Sequence, residues 1–326
     1  MISRIKMKLG RMLGLDEIRW RSCPNGLYSV NFHRIGSMQE TEFDPCVYSC
    51  TAVELDRHIR FFKQHFEIID LKTLSELIKE RKKLTSKFMC LTFDDGYIDN
   101  FSHALPILKS NNVSATFFIA TGLIGSTIVP WWDKIAYLIK YHQPKTLRLD
   151  AWKDEVVYVN SQEQFIRSVL HAVKSCKLPA QAQIELLEQK LLHQNGYPRP
   201  EFMDWHHLND LIKSGMEIGA HSHNHDILTK LSEDELSYEL NHSKMLLETQ
   251  LKSRISAFSY PVGNKSTYNK QVIDELKSTG YDLAFNFQPG INTSPCNTPY
   301  DLHRFPIAPG MIEEDIKRMF SYAKKY

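Results

Sequence analysis

The sequence predicts an α/β protein whose parallel strands close into a barrel surrounded by helices. Short apolar strands alternate along the chain with helical patterns, and this repeated order is typical of a parallel sheet. About seven repeats favour closure into a barrel, a fold that often uses roughly 250 residues as one unit. Residues from about 125 to 200 break the alternation and are mostly helical in pattern, so they predict an insertion.

The strands are predicted from apolar runs that end at turn-forming residues. They lie near residues 27–32, 88–93, 115–119, 216–220, 256–260, 282–286 and 302–307. The helices are predicted from apolar spacing and from capping residues. They cover residues 51–65, 98–109, 232–250, 266–278 and 311–324. Pro106 interrupts the second helix, because proline lacks an amide donor.

Two adjacent aspartates end one of the predicted strands. The run from Phe88 to Phe93 is apolar, and it is followed by Asp94, Asp95 and Gly96. Adjacent aspartates before a glycine are usually turn formers, so this pair alone would be weak evidence for a site. Strand ends in a parallel barrel are, however, where active-site residues lie.

Two histidines four residues apart follow another predicted strand. His221 and His225 come after the segment Met216–Ala220, and their spacing lets both side chains approach one point. Two neutral imidazoles and one carboxylate suit Zn²⁺ and leave a fourth position for water. The sequence therefore predicts a metal-dependent hydrolase.

These segments resemble motifs of the polysaccharide deacetylases, the NodB homology domain or carbohydrate esterase family 4. Thr92–Gly96 matches the TFDDG motif, and His221-Ser222-x-x-His225 matches the H-[ST]-x-x-H motif. The resemblance spans about residues 27–308 and implies a distorted (β/α) barrel. It also implies that Asp94 is the general base, and that Asp95, His221 and His225 hold a divalent metal, for which we expect Zn²⁺.

The third and fifth motifs of the family are altered in this chain. Ser259 stands where many members have an arginine that orients the base, so another residue must hold Asp94. The usual histidine that acts as general acid has no match in register. His303 is the nearest candidate, and His33 is an alternative, because Val30–Ile35 resembles the first strand of an exopolysaccharide and surface-glycan branch.

Three residues are expected to contact the substrate. Tyr260 and Val262 belong to the segment that resembles the third motif, in which the backbone N–H after the proline donates to the oxyanion. Trp131 is our candidate from the adjacent pair Trp131 and Trp132, which cannot both face inward on one helix. Most aromatic residues of the insertion are expected to fill a small helical core.

Composition and the chain ends give further expectations. The 40 basic and 38 acidic residues give a net charge of +2, which offers no support for a nucleic-acid partner. No run approaches the length of apolar residues that a membrane span needs. We expect a basic segment at residues 1–26, a catalytic domain at residues 27–310 and a C-terminal helix at residues 311–326.

The basic segment lacks the apolar stretch and the cleavage site of a secretory signal. It predicts either an amphipathic helix on an anionic membrane surface or a helix packed on the domain. The six cysteines show no disulfide or zinc pattern, so free thiols and a cytoplasmic location are expected, with peripheral contact at the inner membrane face on the first alternative.

The expected reaction is removal of an N-acetyl group from an amino sugar of a polysaccharide or a lipid-linked glycan. A deformylase that acts on a lipid-linked N-formyl sugar is one alternative. A glycan-binding homologue with weak catalysis is another, although an intact Asp94 argues against it, because binding alone needs no base.

Overall fold

A parallel sheet of eight strands forms the centre of the molecule in a computed structural model, which describes residues 15–326. The strands of this sheet are β1 (Gly26–Phe32), β4 (Glu67–Ile68), β5 (Lys87–Asp95), β6 (Thr116–Ile119), β9 (Glu217–Ala220), β10 (Ala257–Ser259), β11 (Leu283–Phe285) and β12 (Arg304–Pro306). Two small ribbons pair β2 (Arg34–Ile35) with β3 (Tyr48–Cys50) and β7 (Thr146–Leu147) with β8 (Val156–Val157). Each of the seven predicted strands is present, and β4 was not predicted.

The sheet is nearly closed into a barrel. Its order is β11-β10-β9-β6-β5-β1-β12, with β4 beside β5, and all of these pairings are parallel. A further parallel bridge joins Phe285 of β11 to Leu302, two residues before β12. The predicted barrel is therefore confirmed, and the carboxyl ends of β1, β5, β9 and β10 meet at one rim.

Helices surround the sheet. Within residues 15–326 they are α1 (Leu15–Arg21), α2 (Ala52–His65), α3 (Leu71–Lys79), α4 (Leu105–Ser110), α5 (Trp131–His142), α6 (Gln162–Ser175), α7 (Ala180–Lys190), α8 (Trp205–Lys213), α9 (Glu233–Leu251), α10 (Lys270–Ser278) and α11 (Glu313–Ser321).

Side-chain caps set several helix ends. Thr51 and Ser232 each form a capping box with the glutamate three residues later, which fixes the starts of α2 and α9 close to the predicted positions. Helix α10 begins at Lys270 rather than at Ser266, because the Asn269 side chain accepts from the amide of Val272. The predicted helix was four residues too long at this end.

The helix after β5 contains a π-helical turn at Asn100–Ala104 before α4 begins. Pro106 cannot donate an amide hydrogen bond, so the regular helical pattern is interrupted at this point. Two contacts form at the turn: Asn100 donates to the carbonyl of His33, and Asp99 pairs with Arg34. Turns of this type occur frequently at functional sites.

The molecule has a barrel core and a second core in the insertion. Side chains that alternate along β1 and β5 fill the barrel interior on one face and pack against the helices on the other. Helices α5, α6 and α7 bury their own apolar cluster, which includes Trp132, Trp152 and Phe165. These three aromatic residues pack as expected, whereas Tyr141 and Tyr158 are exposed.

The chain ends differ in part from expectation. Helix α11 ends at Ser321, and the last residues run extended, with the Tyr326 carbonyl accepting from the Thr293 amide. Most of the predicted basic amphipathic segment lies outside the described residues. Among residues 15–326, no helix is long and apolar enough to cross a membrane. All six cysteines are free thiols.

Candidate active site

Three of the predicted metal ligands meet at the rim of the barrel. The Oδ1 atom of Asp95 lies 3.4 Å from Nε2 of His221 and 3.4 Å from Nε2 of His225. The donor atoms of the three residues all lie within 4.8 Å of one another, and all three residues are buried. The arrangement can hold one small cation at a common centre.

Backbone geometry brings these side chains together. Adjacent side chains of a regular strand point to opposite faces, but Asp95 has φ 77°, which ends the extended conformation of β5. Gly96 follows with φ 92°, and a Cβ there would lie 2.9 Å from Ile124. Ser222 and His225 also have positive φ, at 62° and 59°. Such strained backbone clusters at functional sites.

The histidines present their Nε2 atoms to the common centre. Nδ1 of His221 lies 2.7 Å from the carbonyl oxygen of Ser259, and as the donor in this contact it leaves a lone pair on Nε2. Burial lowers the pKa of His225 to about 3, so its imidazole is neutral at physiological pH. A neutral imidazole is the form that binds a metal.

The donor set fits a divalent metal. Oδ1 of Asp95 is buried and accepts no hydrogen bond within residues 15–326, which is costly for a carboxylate oxygen unless a cation binds it. Ligand atoms about 2.0–2.1 Å from a tetrahedral Zn²⁺ lie roughly 3.3–3.4 Å apart. The observed 3.4 Å separations match this spacing.

A buried arginine holds Asp94. The guanidinium of Arg304 donates from Nη1 to Oδ1 and from Nη2 to Oδ2, both at 2.8 Å, and Arg304 is fully buried. Oδ2 also accepts from Asn31 at 3.1 Å and from Ser259 at 3.3 Å. Oδ1 accepts only the arginine within the described residues, so it keeps a lone pair for another proton donor.

The arginine also determines the charge of Asp94. Burial by itself would raise the pKa of this carboxyl group, but the Arg304 guanidinium and the nearby His221 outweigh burial and hold the pKa well below its usual range. Asp94 is therefore ionised throughout the physiological pH range. Ser259 supports the pair, because its hydroxyl accepts from Nη2 of Arg304 at 2.7 Å.

A cavity of about 390 Å³ opens over these residues. Asp94, Asp95, His221 and His225 form its floor, and the insertion contributes further lining residues that include Trp131, Trp132 and Lys174. The ring of Trp132 lies 4.5 Å from that of His225, and its indole N–H donates to the Tyr97 hydroxyl. The insertion thus completes one side of the site.

The two histidines considered for the acid role have different positions. His33 lines the cavity at the end of β1, and its ring meets the edge of Phe287 at 5.6 Å. His303 lies outside the cavity, where it stacks on Tyr326 at 3.6 Å with Nδ1 beside the Gln288 carbonyl. The structure does not bring His303 to the other site residues.

The three residues expected to contact the substrate also differ in their surroundings. Val262 lines the cavity with φ 62°, and its amide donates to no acceptor among the described residues. Tyr260 borders the cavity, but its buried ring stacks on Tyr268 at 4.1 Å and its hydroxyl donates to Tyr300. The side chain of Tyr260 is thus engaged in the core. Trp131 remains partly exposed at the cavity wall.

Sequence reasoning missed Arg304, Asn31 and Lys174. The missing third-motif arginine showed that Asp94 needed another partner. A charged residue in the apolar segment Leu302–Ile307 was the available signal, because an arginine is buried only when it is paired. No local pattern marked Asn31 or Lys174, since their positions depend on the barrel and on the insertion.

Comparison with known proteins agrees with this geometry. The sequence model described as polysaccharide deacetylase matches residues 81–284, which is more than half of the chain. The chain belongs to the polysaccharide deacetylase family. The matched range ends before Arg304, the arginine that holds Asp94.

Two curated relatives are similar over part of their length. YxkH of Bacillus subtilis, which is named for the same family, is 22% identical over 259 residues, or 79% of this chain and 65% of YxkH. The poly-β-1,6-N-acetyl-D-glucosamine N-deacetylase of Staphylococcus epidermidis is 31% identical over 116 residues, or 32% of this chain and 39% of that enzyme. The chain spans less than two thirds of either relative.

Solved structures of deacetylases share the fold. PplD of Streptococcus pyogenes, solved in complex with acetate, aligns with a TM-score of 0.60 and 20% identity over 91% of this chain and 99% of that chain. IcaB of Ammonifex degensii aligns with a TM-score of 0.58 and 14% identity over 91% and 98%. These similarities confirm the (β/α) barrel expected from the sequence.

Proposed function

We propose that this family member is a metal-dependent hydrolase that removes the N-acetyl group from an amino sugar of a glycan. One observation carries the proposal: Asp95, His221 and His225 converge in one cavity beside an ionised Asp94, which the buried Arg304 holds from behind. A binding protein would not need the oriented carboxylate of a base. The curated relative that acts on poly-β-1,6-N-acetyl-D-glucosamine supports an N-acetylated substrate.

The metal ligands and the base have separate tasks. Asp95, His221 and His225 hold a divalent cation, most simply Zn²⁺, which when bound lowers the pKa of water and polarises the amide carbonyl. Asp94 accepts the proton of the attacking water at Oδ1. Arg304 keeps this carboxylate ionised and oriented, although its positive charge also makes Asp94 a weaker base.

Two further groups act on the tetrahedral intermediate that forms when water attacks the amide carbonyl. The free amide of Val262 at the cavity wall donates to the developing oxyanion. His33, whose ring makes no hydrogen bond within the described residues, protonates the departing amine. Amines leave readily only when they are protonated, so this proton is required for C–N cleavage. The products are acetate and a glycan with a free amine.

The test combines metal content with amine release from N-acetylated and N-formylated sugars. Purified wild-type protein should hold one divalent ion per chain and release acetate. His225→Ala should lose both metal and activity, because two remaining ligands hold the ion weakly. His223→Ala is the matched control, because this neighbouring histidine contacts Thr121 rather than Asp95. It should keep the metal.

Asp94→Asn separates an enzyme from a binding protein. The variant should retain the metal and slow turnover by about a hundred- to ten-thousand-fold, as expected when a general base is removed. Loss of metal in Asp94→Asn would show that Asp94 is a ligand and that the two aspartates are reversed. Full activity of the metal-free wild-type protein would overturn the proposal.

A further inference from the structure

A lysine of the insertion lies where the active-site cavity meets a second cavity. Lys174, near the end of α6, lines both the 390 Å³ cavity and an adjacent cavity of about 210 Å³. Trp131 also lines both, and the ammonium of Lys174 lies 5.8 Å from the centre of its ring. The charged residues that also line the second cavity are Lys177, which follows α6, and Asp226, Lys230 and Glu235, which follow His225 in the sequence.

The ammonium of Lys174 has no hydrogen-bond acceptor within residues 15–326. A lysine in the last turn of a helix commonly binds the free helix carbonyls. Here Lys230 already does so, because its Nζ donates to the carbonyls of Lys174 and Cys176 at 2.9 and 2.5 Å. Lys140 likewise binds the carbonyls of Thr41 and Phe43. Lys174 is therefore needed neither to bind the free carbonyls at the end of α6 nor to bind the carbonyls of Thr41 and Phe43.

Lys174 makes no direct ion pair within residues 15–326, although two carboxylates lie nearby. The residue is partly buried, and burial lowers the pKa of its amine while the carboxylates of Asp44 and Asp95 act in the opposite direction. Neither carboxylate lies within 4.0 Å of Nζ. Asp44 accepts from the amide of Cys46, and Asp95 faces the two histidines. A partly desolvated cation without an ion-pair partner gains most from a bound anion.

We propose that Lys174 binds an anionic group, phosphate or carboxylate, that the glycan carries next to the sugar losing its acetyl group. The anion would sit between the two cavities, and the exposed face of Trp131 would support the adjoining sugar ring. This inference rests on the proposed deacetylase function and specifies its substrate class. Lys174 is then a specificity-determining residue that the insertion supplies to the barrel.

The test compares matched substrates on the metal-loaded enzyme. The first is a neutral N-acetylglucosamine disaccharide, the second carries a uronic acid as its other sugar, and the third joins N-acetylglucosamine to glycerol through a phosphodiester. Wild-type enzyme should favour one charged substrate by kcat/KM, and which of the two it favours identifies carboxylate or phosphate. Lys174→Gln should reduce the charged-to-neutral ratio about tenfold, mainly through KM.

Two matched variants complete the experiment. Lys174→Arg should keep the preference, because it retains the positive charge. Lys190→Gln should also keep it, because this exposed lysine of the insertion lines neither cavity. An unchanged charged-to-neutral ratio of kcat/KM in Lys174→Gln would overturn the inference. An equal loss of kcat/KM on neutral and charged substrates would also overturn it, because it would indicate that Lys174 binds a hydroxyl group of the sugar. Absence of deacetylation on every substrate would instead refute the proposed function.

Discussion

At the scale of the residue, the ion pair between Arg304 and Asp94 is the central electrostatic feature of the site. Both side chains are buried, and the guanidinium also donates to Asn286, Asn31 and Thr92. Removing only one residue of such a pair strongly destabilises the protein, because the other residue remains as an uncompensated buried charge. The same contacts fix the direction in which Asp94 presents Oδ1.

Arg304→Met should lower the free energy of unfolding by about 3–5 kcal/mol, because it leaves Asp94 buried without a counter-charge. The double variant Asp94→Asn/Arg304→Met should recover much of the stability, since neither charge remains, yet stay inactive. Urea unfolding and acetate release measure the two effects. Arg60→Met is the control, because its ion pair with Asp56 has the same 2.8 Å distance but is largely exposed.

The control should change stability by less than about 1 kcal/mol, as is usual for exposed pairs. Equal losses in Arg304→Met and Arg60→Met would contradict the role assigned to burial.

At the scale of the element, helix α5 uses two adjacent tryptophans for different purposes. Trp132 is 5% exposed and belongs to the core of the insertion, while Trp131 is partly exposed and forms the wall shared by the two cavities. Successive residues of a helix point about 100° apart, so the Trp132 ring packs into the core of the insertion beside His225, while the Trp131 ring lies partly exposed at the cavity wall. The sequence predicted that one residue of the pair, Trp131, contacts the substrate, and this contact stays a prediction.

Trp132→Ala should destabilise the protein by about 3–5 kcal/mol, because it removes a large buried ring and leaves the Tyr97 hydroxyl without its donor. Trp131→Ala should change stability much less but raise KM for glycan substrates, since it removes a stacking surface. Thermal unfolding and steady-state kinetics on the two variants check this contrast. A similar loss of stability in both variants, with KM unchanged, would show that Trp131 only packs.

At the scale of the whole molecule, one buried carboxyl group, that of Asp133, joins the insertion to the barrel. The amide of Asp44, from the segment between β2 and β3, donates to Asp133 of α5 at 3.0 Å, and the Tyr97 hydroxyl lies 3.3 Å from the same carboxyl group. Burial raises the pKa of Asp133 to about 8. This junction makes the position of the insertion over the active site depend on a buried acid that is protonated near neutral pH.

The pKa of Asp133 predicts a pH dependence of stability. The folded protein keeps a proton that the unfolded chain, with a pKa near 3.8, releases. The free energy of unfolding should therefore fall as pH rises from about 4 to about 8, with a contribution of up to about 1.4 kcal/mol per pH unit. Asp133→Asn mimics the protonated acid and should flatten this decline.

Urea unfolding of both proteins at pH 5, 6.5 and 8, with a chelator present, measures the difference. Parallel curves for wild type and Asp133→Asn would show that the carboxyl group is not protonated in the folded protein.

The sequence by itself determined the barrel and the candidate metal ligands. Strand patterns are local, because alternating burial and turn residues are set by neighbours in the chain. The two aspartates and two histidines are likewise recognisable as short motifs at strand ends. Their convergence followed from the order of a parallel barrel, in which strand ends share one rim.

Only the tertiary structure decided which groups surround those ligands. Arg304 reaches Asp94 because barrel closure sets β12 beside β1, and the same closure leaves His303 stacked on Tyr326, away from the site. Lys174 reaches the cavity because the insertion folds back over the rim. Such long-range contacts depend on how elements pack, which no short sequence pattern encodes.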